Sequence, residues 1–213
     1  MNVVIFGATS YAGRSILMEV LAQNHQVTIL VSNSNLLCPQ DKNLIIVEGS
    51  EFSRRAIRSI LHNQDVVIQC LGVGDNCYCS STSLVSFATE VIVEAMEKRN
   101  VRHLIAISNA DLGNGSASQS WFFNKLILSY FAKRSKVIRE DKYSMEQIIM
   151  SSKLDWTIIR CPAIVDKPAK GYCRATLDGK GFKLSITAED MASFVASQIT
   201  LNTHLKLTPL ISN

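Results

Sequence analysis

The sequence predicts a single α/β domain built on a doubly wound, mainly parallel sheet flanked by helices. Three observations carry that prediction. Short, near-continuous apolar runs recur along the chain, they alternate with segments whose apolar residues repeat at helical spacing, and most of them end in a glycine-rich or polar loop. Strands that are apolar at nearly every position need cover on both faces, which alternating helices supply.

Asn2 to Phe6 is the first such run. A glycine turn follows, and Gly13 to Gln23 places Ile16, Leu17, Val20 and Leu21 on one helical face. Gln26 to Val31 predicts a second strand ending in Ser32-Asn33-Ser34-Asn35, and Asn43 to Val47 a third ending in Glu48-Gly49-Ser50. Asp65 to Leu71 and Arg102 to Ser108 predict two more. Between them Ser83 to Arg99 reads as an amphipathic helix through Val85, Ala88, Ile92, Ala95 and Met96. Trp156 to Arg160 is a sixth strand before Cys161-Pro162. Trp121 to Arg134 is apolar enough to demand cover, within an insertion near 117–140, and core, lid and subunit interface all remain open for it.

The 213 residues fit one domain, 1–213, with 47% apolar and 19% charged residues, a composition that excludes a disordered chain. A net charge of +4 on scattered basic residues makes no nucleic-acid stripe, so no nucleic-acid partner is expected. No long uncharged apolar stretch and no signal-like start occur, which predicts no membrane partner and a cytoplasmic protein. Cysteines 38, 70, 77, 79, 161 and 173 form no C-x-x-C pair and read as reduced thiols, with Cys77-Tyr78-Cys79 either a metal or redox pair or an incidental one. His25, His62, His103 and His204 form no cluster, so no metal is expected.

The turn Gly7-Ala8-Thr9-Ser10-Tyr11-Ala12-Gly13 carries the chemistry. Glycine after a strand permits the tight turn, and a later one lets helix pack on strand. Ser10 takes the middle position with a hydroxyl able to reach a phosphate oxygen, and the helix amides then hold the anion. This is a dinucleotide-binding Rossmann pattern. The end of the second strand has neither the acid that bonds the ribose of NAD nor a base for the 2′-phosphate of NADP. Ser32 and Asn33 there can donate to a phosphate, which favours NADP(H), with NAD(H) as the alternative. Arg14 and Lys42 are either further charge partners or solvated surface.

No Tyr-x-x-x-Lys pair occurs: Tyr130 is followed by Arg134 and Tyr143 by Gln147, so a tyrosine acid is not expected. Hydride transfer to a conjugated acceptor needs little protein acid. Ser108, at a strand end, is the best placed hydroxyl for a catalytic role. Lys142 is the second candidate, reaching the cofactor ribose or an anionic substrate; the other reading of Lys142 and Glu146 is an i,i+4 helix salt bridge.

These residues resemble the atypical short-chain dehydrogenase/reductases with NAD(P)-binding NmrA-like folds, in particular the flavin reductase (biliverdin-IXβ reductase) branch and related bacterial oxidoreductases. The likeness rests on the 7–13 turn, on Gln64 to Ile68 with Leu71-Gly72, on Asp155 to Pro162, on Thr176 to Gly181 and on Ile186 to Asp190. Asp141-Lys142 through Met145-Glu146 resembles bacterial members. The resemblance implies that Gly7, Thr9, Ser10, Tyr11, Ala12 and Gly13 surround the pyrophosphate and ribose, with Ser50 and Glu51 near the adenine. It implies Leu71 and Gly72 at the cofactor's middle, and Ile107, Ser108, Cys161 and Pro162 at the nicotinamide end. The family's phosphate-holding arginines are replaced by Ser32 and Leu36, its substrate-region serine falls on Asn109, and its two active-site histidines fall near Lys142 and Ala163. The expectation is an NAD(P)H-dependent reductase of a small-molecule acceptor such as a flavin or quinone, working as monomer or homodimer. The alternative is a non-catalytic NADP(H) sensor acting through a protein partner.

Overall fold

The computed structural model describes residues 1–32, 39–72, 83–112 and 136–213. Asn33 to Leu36, Cys38, Cys77, Cys79 and the Trp121–Arg134 segment lie outside the described residues.

Five parallel ladders join β3 (Leu44–Glu48), β2 (Gln26–Val31), β1 (Asn2–Phe6), β4 (Val66–Gln69), β5 (His103–Asn109) and β6 (Asp155–Cys161), in that spatial order. Beyond β6 the sheet continues with β10 (Leu210–Ser212), parallel to β6, and β8 (Arg174–Thr176), antiparallel to β10, making eight strands. β7 (Ala163–Val165) and β9 (Ser185–Thr187) form a separate parallel pair. The described helices are α1 (Tyr11–Ala22), α2 (Arg54–Ile60), α3 (Leu84–Arg99), α4 (Lys136–Ser151) and α5 (Ala188–Ser197).

The apolar strand pattern is explained by what each face meets. Val3 and Ile5 of β1 pack with Ile16, Leu17 and Val20 of α1 and Met191 and Val195 of α5. Val4 and Phe6 point the other way, onto Ile57 of α2, Val85, Ala88 and Ile92 of α3, and Met145 and Ile149 of α4. Both faces of β1 are therefore dry, whereas Ile45 and Ile46 of the edge strand β3 stay exposed, and each fully buried aliphatic side chain contributes roughly 1.5–3 kcal/mol. Side chains alternate along a strand, so only a run apolar at successive positions fills both layers.

Boundaries moved where side chains overrule periodicity. α1 begins at Tyr11 rather than Gly13, because Ser10 caps it by accepting the Gly13 amide at 3.0 Å. β4 stops at Gln69, where its ladder with β5 ends at Gln69 opposite Ala106, rather than reaching Leu71. α4 takes up the end of the expected 117–140 insertion and continues to Ser151.

Candidate functional site

The carboxyl ends of β1, β4, β5 and β6 meet in one place, and the glycine turn forms its floor. Gly7 has φ +84°, and a Cβ there would come within 2.5 Å of the Cys70 carbonyl and 2.8 Å of the Leu71 nitrogen. A Cβ on Gly13 would overlap the Gly7 carbonyl and lie 2.9 Å from Ala8 Cα. Both outer glycines are thus demanded by close backbone approach, which sets α1 directly on the end of β1.

Ser10 holds the turn from inside. Its hydroxyl donates to the Gly7 carbonyl at 2.8 Å and accepts the Gly13 amide at 3.0 Å. Both of these bonds are internal to the turn. What remains for an anion is the head of α1, where the Tyr11 and Ala12 amides have no preceding turn to bond and the first turn has no acidic residue. Thr9 is half-buried beside them. The Tyr11 ring is exposed, and its phenol is raised above 10 by partial desolvation and by the Asp166 carboxylate it bonds.

Glu51 enters the site from the loop between β3 and α2. Its Oε1 accepts the Gly7 amide at 2.5 Å. Burial raises its carboxyl above the ordinary value, and the Gly7 bond opposes that rise. Ser50 stays exposed, its hydroxyl accepting the Phe52 amide at 3.2 Å, and Ser32 is exposed at the end of β2. Arg14 and Lys42 are exposed, as surface residues.

At the other end, Leu71 is buried, while a Cβ on Gly72 would meet nothing within 4 Å. Ile107, Ser108, Cys161 and Pro162 are buried, and Asn109 and Ala163 are half-buried. Ser108 is 2% exposed and its hydroxyl has no partner among the described residues. Burial pushes the Cys70 and Cys161 thiols up to about 12, so neither is a nucleophile at neutral pH.

Lys142 of α4 sits in the fork where β4 and β5 part. Its Nζ donates to the Leu71 carbonyl at 2.7 Å and the Ile107 carbonyl at 3.0 Å. Those acceptors lie just past the last β4–β5 pair, so the ammonium takes over where the ladder ends. Burial lowers this amine to about 8, opposed by neighbouring Cys70, Glu146, Asp141 and Cys161. The i,i+4 salt bridge between Lys142 and Glu146, the other of the two readings of this pair, does not form. Glu146 instead takes Arg160 of β6, at 3.2 and 2.7 Å. The i,i+4 rule presumes a solvated helix face, and this face is pressed onto the sheet.

The NAD(P)H-binding family matches the chain over residues 7–201. The chain belongs to that family. Among solved structures, a short-chain dehydrogenase/reductase from Veillonella parvula in complex with NADP is similar at 17% identity and a TM-score of 0.81, covering 100% of this chain and 94% of that one. The oxidoreductase ylbE from Lactococcus lactis matches at 19% identity and 0.80, covering 100% and 91%. ChuY, an anaerobilin reductase from Escherichia coli O157:H7, matches at 15% identity and 0.76, covering 100% and 97%. At these identities the structures share the fold.

The residues present fit a dinucleotide. A turn that side chains would fill, an open helix head and a buried hydroxyl without a partner among the described residues lie along one row of strand ends. Among the described residues no group of three or more His, Cys, Asp or Glu is placed to hold a metal, and no helix is long and apolar enough to cross a membrane. Sequence reasoning missed Arg160 and Asp141. The signal for Arg160 was a charge inside the otherwise apolar run Trp156 to Cys161, which requires a buried counter-charge.

Proposed function

We propose that this protein is an NAD(P)H-dependent reductase of a flavin, quinone or similar conjugated small molecule. The observation that carries the reading is the buried Ser108 hydroxyl, without a partner among the described residues, at the carboxyl end of β5, one residue beyond the carbonyl that holds Lys142. A buried hydroxyl left without a bond is unfavourable by about 1–3 kcal/mol, so a ligand group that meets it gains binding.

When bound, the nicotinamide supplies the hydride. The chain's own residues bind and orient. The Gly7–Gly13 turn would hold the pyrophosphate through the amides at the head of α1, with Ser50 and Glu51 toward the adenine. Ser32, and Asn33 beyond it, would take a 2′-phosphate, which favours NADP(H) because β2 ends without a carboxylate to repel it. Leu71 and Gly72 would pass the middle of the cofactor. Ile107, Cys161 and Pro162 would form apolar walls that exclude water from the nicotinamide end, and Asn109 and Ala163 would face the acceptor. An ammonium has three N–H donors, and among the described residues only the Met145 thioether, at 3.8 Å, stands near the third proton of Lys142. That proton would go to a ribose hydroxyl. No protein acid is required, since a reduced conjugated acceptor spreads the added electron pair over its rings.

That a similar fold serves an anaerobilin reductase is in keeping with a conjugated acceptor. The test is NADPH consumption with FMN and a panel of quinones. Turnover with one of them is the expected result. Tight NADPH binding with no turnover across the panel would overturn the reductase reading in favour of a non-catalytic NADP(H) sensor.

A further inference from the structure

Three charged side chains fasten α4 within two turns. Asp141 accepts the amides of Val85 and Ser86 at 3.0 and 2.8 Å, closing the head of α3, where Ser83 makes no side-chain cap. Lys142 holds the Leu71 and Ile107 carbonyls. Glu146 binds Arg160 through two nitrogens, with the carboxylate 1% and the guanidinium 9% exposed. Arg160 is the ladder partner of Ser108, so the two side chains leave the same face of the sheet.

A buried ion pair is a poor source of stability, because both ions lose water and well-packed apolar replacements commonly fold as well. It does supply direction. The guanidinium fork meets a carboxylate in one orientation, whereas the apolar contacts of Met145 and Ile149 against the sheet tolerate sliding.

We propose that the Glu146–Arg160 ion pair positions the nicotinamide end of the site. It locks the rotation of α4 on the sheet, keeping the Lys142 ammonium on Leu71 and Ile107 and the Ser108 hydroxyl aimed above β5. Glu146 and Arg160 act through those two residues and touch no ligand themselves. The inference rests on the dinucleotide reading above, and the experiment separates the two.

The probes are NADPH and adenosine 2′,5′-bisphosphate, which carries the adenosine half of the cofactor and no nicotinamide. In the double variant Glu146→Leu/Arg160→Met, which exchanges the pair for apolar side chains, NADPH binding weakens by about tenfold while the half-ligand binds as in the wild type. A purely structural role would move both ligands together or neither. Arg160→Lys keeps the charge without the fork, and serves if the double variant does not fold; it weakens NADPH by about threefold and leaves the half-ligand alone. Unchanged NADPH affinity in either folded variant, or an equal loss of both ligands, overturns the positioning role. Wild-type protein that binds neither NADPH nor NADH overturns the dinucleotide reading itself.

Discussion

The Gly7 amide and the Glu51 carboxylate meet at 2.5 Å across 44 positions of sequence. The bond ties the β3–α2 loop to the glycine turn and sets a negative charge beside the anion site at the head of α1. Burial raises Glu51 above its ordinary value. An acid raised in this way contributes stability below its unfolded value near 4.5 that is lost as pH rises through the higher folded value.

Glu51→Gln retains an oxygen for Gly7 and removes the charge. NADPH is expected to bind it about threefold more tightly than the wild type at pH 7.5, with the difference disappearing as pH falls and the wild-type acid is protonated. Calorimetric titration at several pH values checks this. Weaker binding by the variant at pH 7.5 would show that the carboxylate holds the ligand rather than repelling it.

Gly7→Ala is expected to destabilise the fold by roughly 2–4 kcal/mol, since its Cβ would meet the Cys70 and Leu71 main chain at a positive φ. Urea unfolding measures it. A variant as stable as the wild type would mean that the turn yields easily and that the glycine serves the ligand alone.

Ser10→Ala should lose about 1 kcal/mol of stability with its helix cap, yet no more than about threefold in NADPH affinity. The hydroxyl already bonds Gly7 and Gly13. A loss of affinity beyond about tenfold with unchanged stability would assign a direct phosphate contact to Ser10.

Lys142 gives a pH signature. Burial lowers it to about 8 from 10.5, so between these values the unfolded chain holds the extra proton and this residue's contribution to stability rises with pH. Cofactor binding runs the opposite way. The charged amine attracts the anionic dinucleotide, so NADPH affinity falls as pH rises through about 8, and Lys142→Met removes that transition. The same pH profile in the variant would assign the transition to another group.

The strands were legible because burial on both faces writes itself into successive apolar positions, as in Asn2–Phe6 and Gln26–Val31, whose limits the structure keeps. The three-residue strands β7 to β10 carry no period, and their partners are distant segments such as Ser185–Thr187 for Ala163–Val165. The turn was legible because its glycines answer to steric demand. The partners of Lys142 and Glu146 were not, because main-chain carbonyls at a strand fork and an arginine on β6 leave no mark at helical spacing.

The central claim is that the turn from Gly7 to Gly13 holds a nicotinamide dinucleotide, and titrating the purified protein with NADPH and NADH tests it most directly. One NADPH per chain is expected to bind, about fivefold more tightly than NADH, roughly 1 kcal/mol. Equal affinities would remove the 2′-phosphate assignment to Ser32 and Asn33. Binding of neither nucleotide would contradict the account.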